Sequence, residues 1–132
     1  MKIPSENELD RIRKEYPVGT IIELISMSDK FAPPKGTLGE IIGVDDLGDL
    51  EMLWSTGSSL KVILSEDRIR KVNGTITVCY GQREYWRSRK EAVDYFLEGI
   101  SASDGSECER YSNIYAELIC GKTVCSDEYE EL

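Results

Sequence analysis

The chain has 132 residues, of which 40% are hydrophobic and 31% are charged, and its formal net charge is −9. This composition supports a folded core, and no apolar run approaches the length that spans a membrane. The acidic charge makes direct DNA binding unfavourable, because phosphate groups would be repelled, and it favours a basic protein partner.

The N-terminal stretch "IPSENELDRIRKEYP" predicts a short helix within residues 1–17. Ser5 and Glu8 have the spacing of a capping box, in which each side chain bonds the backbone of the other residue. Pro17 should end the helix, because the residue before a proline avoids the helical region. The stretch lacks the apolar segment of a secretory signal, so we expect a cytoplasmic protein.

Residues 18–73 predict β structure. Five short apolar stretches, "GTIIELI", "TLGEIIGV", "LEMLW", "LKVIL" and the end of "EDRIRKV", are separated by turns rich in Gly, Asp and Ser. Closure of such strands into a small barrel removes exposed sheet edges. We therefore expect an SH3-like five-stranded β barrel here.

The same region resembles a small domain family of unknown function from Gram-positive plasmids, phages and conjugative elements. The family pattern reads "YPxGTxxEL", then "PxGTxGxVxxVDDxGxxxxxWDxGSSL", then "DxxR". The chain matches it with "YPVGTIIEL", "PKGTLGEIIGVDDLGDLEMLWSTGSSL" and "DRIR", and has Ser55 where the family has aspartate. The resemblance implies an SH3-like barrel and a mobile-element setting, and it implies no activity.

Residues 74–132 predict a β-α-α-β unit with an acidic C-terminal tail, "DEYEEL", which begins at Asp127 and is expected to be frayed. "GTITVCYG" is typical of a strand and "QREYWR" of a connection, and two amphipathic helices follow, with Ser88 and Ser106 as their N-caps. "KTVCS" then predicts a return strand. With "REYWRSRKEAVDYFLEG" and "GSECERYSNIY", this half is similar to a β-α-α-β segment that recurs in small proteins and larger mobilisation proteins of the same elements. That resemblance implies no activity either. The whole chain is thus predicted to be an α+β protein.

The stretch "YGQREYWRSRK" interleaves aromatic and basic residues. Such residues can stack on bases or act as hot spots in protein interfaces. The alternative is that the aromatic rings fasten the strand to the next helix while the arginines are solvated. The candidate binding residues here are Arg83, Tyr85, Trp86 and Arg87.

The stretch "SDGSECERYSNIY" is the other concentration of polar residues. Ser106 with Glu109 has capping-box spacing, and Glu107 suits the positive end of a helix. Capping needs neither Arg110 nor Asn113, so these two residues and Glu107 are candidates for partner contact. A ribonuclease site that lacks histidine is the alternative.

The barrel surface offers Phe31 and Trp54 as aromatic contacts, although Trp54 fits a core position equally well. The stretch "DDLGD" resembles a calcium loop but lacks the full ligand pattern. The chain has no histidine, and its cysteines form no C-x-x-C pair, so we expect free thiols and no metal. Phosphate-binding glycine loops are absent as well, so no cofactor is expected.

These features favour a non-enzymatic accessory protein of a mobile element that inhibits a basic, nucleic-acid-handling defence factor. The most specific version of this hypothesis is an anti-CRISPR-like inhibitor of a CRISPR effector nuclease or of its RNA-bound complex. Two alternatives stay open. One is a histidine-free ribonuclease acting on guide or messenger RNA, and the other is a binding module for conjugation or plasmid maintenance.

Overall fold

The structure is a computed structural model that describes residues 3–128. The protein is α+β and divides into two compact units, Met1–Val72 and Asn73–Leu132. No helix in the described part of the chain is long and apolar enough to cross a membrane.

The first unit opens with helix α1, Glu6–Glu15. The predicted N-cap is confirmed, because the backbone N–H of Glu8 donates to Ser5 Oγ over 3.2 Å. Acidic residues occupy the first turn and basic residues the last turn, as the helix dipole favours. The sequence signals at both ends of this helix therefore agree with its observed extent.

A four-stranded antiparallel sheet follows, with strand order β3-β2-β1-β4. Its strands are β1 (Ile21–Ser26), β2 (Leu38–Val44), β3 (Leu50–Trp54) and β4 (Arg68–Lys71). The predicted five-stranded closed barrel is wrong, because no pairing within residues 3–128 closes this sheet.

The missing strand is "LKVIL", which makes one bridge, Val62 to Leu50. The next backbone N–H, that of Ile63, donates to Asp67 Oδ2 over 2.7 Å. The N–H groups of Glu66 and Asp67 in turn donate to the carbonyl of Ile63. These bonds turn the chain away from β3, so an apolar stretch with strand propensity becomes a loop.

The core of the first unit contains Trp54, which is 1% exposed. Its indole N–H donates to the carbonyl of Leu60 over 2.8 Å. Gly39 lies under the ring, because a Cβ there would come within 2.6 Å of Trp54 Cε3. The other buried members of this core are Ile22, Leu24, Ile41, Leu50, Met52 and Val62.

The second unit is built as β-β-α-α-β. Its elements are β5 (Thr75–Cys79), β6 (Gln82–Trp86), α2 (Arg89–Ser101), α3 (Gly105–Ile119) and β7 (Val124–Ser126). The strand order is β6-β5-β7, with β6 antiparallel and β7 parallel to β5.

The stretch "QREYWR", predicted as a connection, is strand β6. Tyr80 and Gly81 form the two-residue turn before it, with φ angles of 51° and 78°. Positive φ at both positions is typical of a hairpin turn. A tyrosine at positive φ is uncommon, so this hairpin was not predicted from the sequence.

The cap predictions for the two later helices are only partly right. Ser88 occupies the N-cap of α2, but its side chain makes no capping hydrogen bond. The prediction of Ser106 as an N-cap is wrong, because α3 begins at Gly105 and its N-cap is Asp104. Asp104 is already extended in front of the helix, and its carbonyl accepts the N–H of Cys108, although its side chain makes no capping hydrogen bond.

The helices pack over a core of Ala92, Phe96, Ile114, Leu118 and Cys125. Of the acidic tail predicted from Asp127 onward, residues 129–132 lie outside the described residues. Asp127 itself is buried, and this contradicts the expectation that the tail begins there.

Candidate functional site

The first candidate site is a groove of about 640 Å³ in the first unit. It lies between the loop that joins β1 to β2, the turn that joins β2 to β3 and the loop that joins β3 to β4. We call it the acidic groove, because its lining includes four carboxylates and one lysine: Met27, Ser28, Asp29, Phe31, Asp49, Ser58, Ser59, Leu60, Lys61, Ile63, Glu66 and Asp67.

Phe31 is the aromatic residue of this groove, and its side chain is 74% exposed. A local turn holds it in place, because the N–H of Phe31 donates to Asp29 Oδ1 over 2.8 Å. Lys30 Nζ lies 5.0 Å from the centre of the ring, so the ring already has a cation over its face. Trp54, the other aromatic candidate of this unit, is buried and offers no surface to a partner.

The lysine of the groove is largely neutralised. Lys61 Nζ lies 2.9 Å from Asp45 Oδ2, and Asp45 also accepts the backbone N–H groups of Leu47 and Asp49. Burial alone would raise the pKa of Asp45, but these hydrogen bonds outweigh it and lower the pKa. Asp45 therefore stays ionised and cancels the charge of Lys61.

The pKa of Asp49 is shifted upward, in the opposite direction to that of Asp45. Burial raises the pKa of its carboxyl group, and the negative charge of Asp45 raises it further. A cation brought into the groove would relieve this repulsion. The stretch "DDLGD" thus forms a turn next to the groove, and no group of three metal-binding side chains occurs in the described residues.

Within the second unit, the side chain of Arg110 makes contacts that account for its presence, which helix capping does not require. Arg110 Nη1 donates to Asp127 Oδ2 over 2.8 Å, and its guanidinium carbon lies 4.6 Å from the ring centre of Tyr80. The backbone N–H of Tyr80 donates to the same carboxyl oxygen over 2.9 Å. Burial alone would raise the pKa of Asp127, but these hydrogen bonds lower it. Arg110 therefore joins α3 to the segment after β7.

Asn113 and Glu107 are also engaged within the unit. Asn113 Nδ2 donates to the carbonyl of Asp127 over 3.3 Å. Tyr111 Oη donates to Glu107 Oε1 over 2.7 Å, and this bond raises the pKa of Tyr111 to about 12. The structure thus gives the three candidates on α3 internal contacts, and it does not gather them around one cavity.

Among the aromatic and basic residues of β6, and Arg87 just after it, some pack against the core and others lie at the surface. Trp86 packs against the core, and its indole N–H donates to Thr77 Oγ1 over 2.8 Å. Arg83 lies 5.7 Å from the ring centre of Tyr85. Arg87 is exposed. The alternative that these rings fasten the strand to helix α2 is right for Trp86.

Sequence reasoning missed a pocket of about 250 Å³ in the second unit. Its available signal was the pair Tyr95 and Gly99, one helical turn apart, which leaves room beside an aromatic ring. We call it the aromatic pocket, and its lining is Tyr95, Phe96, Glu98, Gly99, Ala102 and Tyr111.

Comparison with known proteins concerns the first unit. Residues 5–72 match the model of a family described as a domain of unknown function, DUF4314. The chain belongs to the DUF4314 family. The DUF4314 match contains α1 and the four-stranded sheet, so the acidic groove lies inside the DUF4314 domain. No curated protein and no solved structure matches the chain.

Proposed function

We propose that this DUF4314 protein is a non-enzymatic binding protein that holds a basic segment of a partner protein in its acidic groove. One observation carries the proposal: Phe31, 74% exposed, stands in a groove whose carboxylates outnumber its lysine. An exposed aromatic ring beside charges of one sign is a typical anchor for a partner of the opposite charge.

The chemistry of the partner follows from the lining. Met27, Leu60 and Ile63 offer apolar surface, and Asp49 is a carboxylate whose repulsion with Asp45 a cation would relieve. Because Lys30 already lies over the ring of Phe31, a partner arginine or lysine could take its place. The expected occupant is a segment that carries arginine or lysine next to an apolar side chain.

The finer form of the proposal concerns the biological role. We propose that the protein is an accessory protein of a mobile element and that it blocks a nucleic-acid-handling defence factor, such as a CRISPR effector nuclease. The net charge of −9 supports this role, because the nucleic-acid channels of such enzymes are basic. Inhibition would then be stoichiometric rather than catalytic.

The groove is tested by fluorescence anisotropy with a labelled peptide that alternates arginine and leucine. We expect saturable binding that weakens as salt is raised, and Phe31→Ala should weaken it about ten-fold by removing the aromatic anchor. The matched control is Val18→Ala, because Val18 is also exposed in this unit and lies outside the groove. Equal binding by wild type and Phe31→Ala would contradict the proposed site.

The inhibitory role needs a separate assay. Purified CRISPR effector nuclease, loaded with guide RNA, is titrated with the protein, and cleavage should stop near equal molar amounts. Phe31→Ala should shift this titration to higher concentration, whereas Val18→Ala should not. Cleavage of RNA by substoichiometric protein, lost in Glu107→Ala, would instead support the ribonuclease alternative.

A further inference from the structure

The aromatic pocket lies in the second unit, at the C-terminal end of helix α2. Three aromatic rings line it, and they meet edge to face. The ring centres of Tyr95 and Phe96 are 5.1 Å apart with an interplanar angle of 79°, and those of Phe96 and Tyr111 are 5.9 Å apart at 63°. Phe96 is only 3% exposed and Tyr111 is half-buried, so the ring surface open to a ligand belongs mainly to Tyr95, with part from Tyr111. Aromatic ring faces attract organic cations.

Gly99 keeps this space open. A Cβ at this position would lie 3.0 Å from Tyr111 Cδ2, so any side chain would push against the ring. Tyr111 is held by its hydrogen bond to Glu107. The walls of the pocket are therefore fixed by contacts within the unit, while Tyr95 is 57% exposed and gives access from solvent.

The charge at the pocket is negative. Glu98 is the charged residue of its lining. The last turn of α2 contains no basic residue, so nothing in that turn offsets the negative end of the helix dipole. The hydroxyls of Ser101 and Ser103 bond the carbonyls of Leu97 and Gly99, but they bring no charge.

We propose that the aromatic pocket binds one arginine or lysine side chain of a partner protein. Aromatic rings, a carboxylate and a helix C-terminus without a basic residue all favour a cation. Residues 73–132 as a whole carry 6 basic and 12 acidic side chains. A nucleotide is the less favoured occupant, because its phosphate would be repelled by the same negative charge. The inference goes beyond the proposed function, since this pocket lies in the other unit and needs no acidic groove.

The experiment is an NMR titration of the whole chain labelled with nitrogen-15. The probe is Nα-acetyl-arginine methylamide, and the neutral control is the matching citrulline derivative, which has nearly the same shape and no charge. We expect saturable shifts of the Gly99 and Ala102 amides with arginine and none with citrulline. Equal shifts with both compounds, or no shift with arginine, would overturn the proposal, as would larger shifts with adenosine monophosphate.

Variants separate this pocket from general charge attraction. Tyr95→Ala and Glu98→Gln should each weaken the arginine-induced shifts at Gly99 about five-fold. Leu97→Ala is the matched control, because Leu97 is an exposed residue of the same helix outside the pocket and its loss should change nothing. If Tyr95→Ala and Glu98→Gln both titrate like wild type, the pocket is not the site.

The two proposals can fail separately. Phe31→Ala should leave the arginine-induced shifts at Gly99 and Ala102 unchanged, because Phe31 belongs to the first unit. Conversely, Tyr95→Ala should leave peptide-induced shifts within residues 21–72 unchanged. Loss of the Gly99 shifts in Phe31→Ala would overturn an independent cation site in the second unit.

Discussion

Replacing Trp54 with alanine is expected to destabilise the first unit strongly while leaving the stability of the second unit unchanged. Trp54 is 1% exposed, and removal of a large buried aromatic side chain costs about 3–5 kcal/mol. A unit of about 70 residues has a total stability of about 4–11 kcal/mol, so a large part of it would be lost, and at the low end of this range the unit would unfold. Hydrogen exchange, read separately for the amides of β1–β3 and of α2–α3, measures the two units in one sample.

Two further variants test the reason for this loss. Trp54→Phe keeps an aromatic ring but loses the indole bond to Leu60, so its cost should be smaller, about 1–2 kcal/mol. Phe31→Ala removes an exposed ring from the same unit and should change the free energy of unfolding by less than about 0.5 kcal/mol. Equal protection of β1–β3 in wild type and Trp54→Ala would show that the core is not organised around this residue.

Replacing Asp127 with alanine is expected to destabilise the second unit by about 2–3 kcal/mol, because a buried carboxylate with two charge-assisted bonds is lost. The N–H of Tyr80 and the guanidinium of Arg110 both lose their acceptor. Chemical denaturation followed by the amide NMR signals of α2 and α3 measures the change, because fluorescence would also report Trp54 in the first unit. Asp94→Ala is the control, because it removes an exposed ion pair with Lys90 on α2 and should have little effect.

The same carboxylate predicts a pH dependence. The folded-state pKa of Asp127 lies below its ordinary value, so its ionised form favours folding. This contribution is fully present above the unfolded-state pKa, about 3.9, and is lost as the pH falls through the folded-state value. The stability difference between wild type and Asp127→Asn should therefore shrink below about pH 4. A difference that stays constant into stronger acid would show that Asp127 is not the titrating group.

Local sequence signals predicted the elements that depend on neighbours in the chain. The N-cap of α1 needs only Ser5 and the backbone of Glu8, three residues apart. The strands β1 to β3 follow from apolar stretches with turn residues between them. Such features could be predicted because their stabilising contacts lie within a few residues of one another.

The predictions of secondary structure were wrong where a contact in the folded chain outweighed the local conformational preference of a stretch. "LKVIL" has strand propensity, yet the carboxylate of Asp67 takes the N–H of Ile63 and turns the chain. The hairpin before β6 required a tyrosine at positive φ, which composition does not reveal. The open sheet and the hairpin therefore depend on single residues, Asp67 and Tyr80, rather than on the pattern of apolar and polar residues.

The candidate sites were predicted least well, because each combines distant residues. Arg110 was singled out because helix capping does not need it, but its partner Asp127 was assigned to a frayed tail. Phe31 was named, but the carboxylates around it come from three separate loops. Only the folded chain brings these groups together.

The parallel pairing of β7 with β5 has a consequence for how the protein is made. Ile76 pairs with Val124, and Val78 pairs with Ser126, so this sheet joins the first and last strands of its unit. During synthesis, the second unit cannot complete its sheet until the ribosome has delivered Ser126. Every strand of the first unit precedes residue 73, so that unit has all its strands earlier. Domains generally fold in order of synthesis. We therefore expect the DUF4314 domain to be folded in the nascent chain before β7 has been synthesised to pair with β5 beneath α2 and α3.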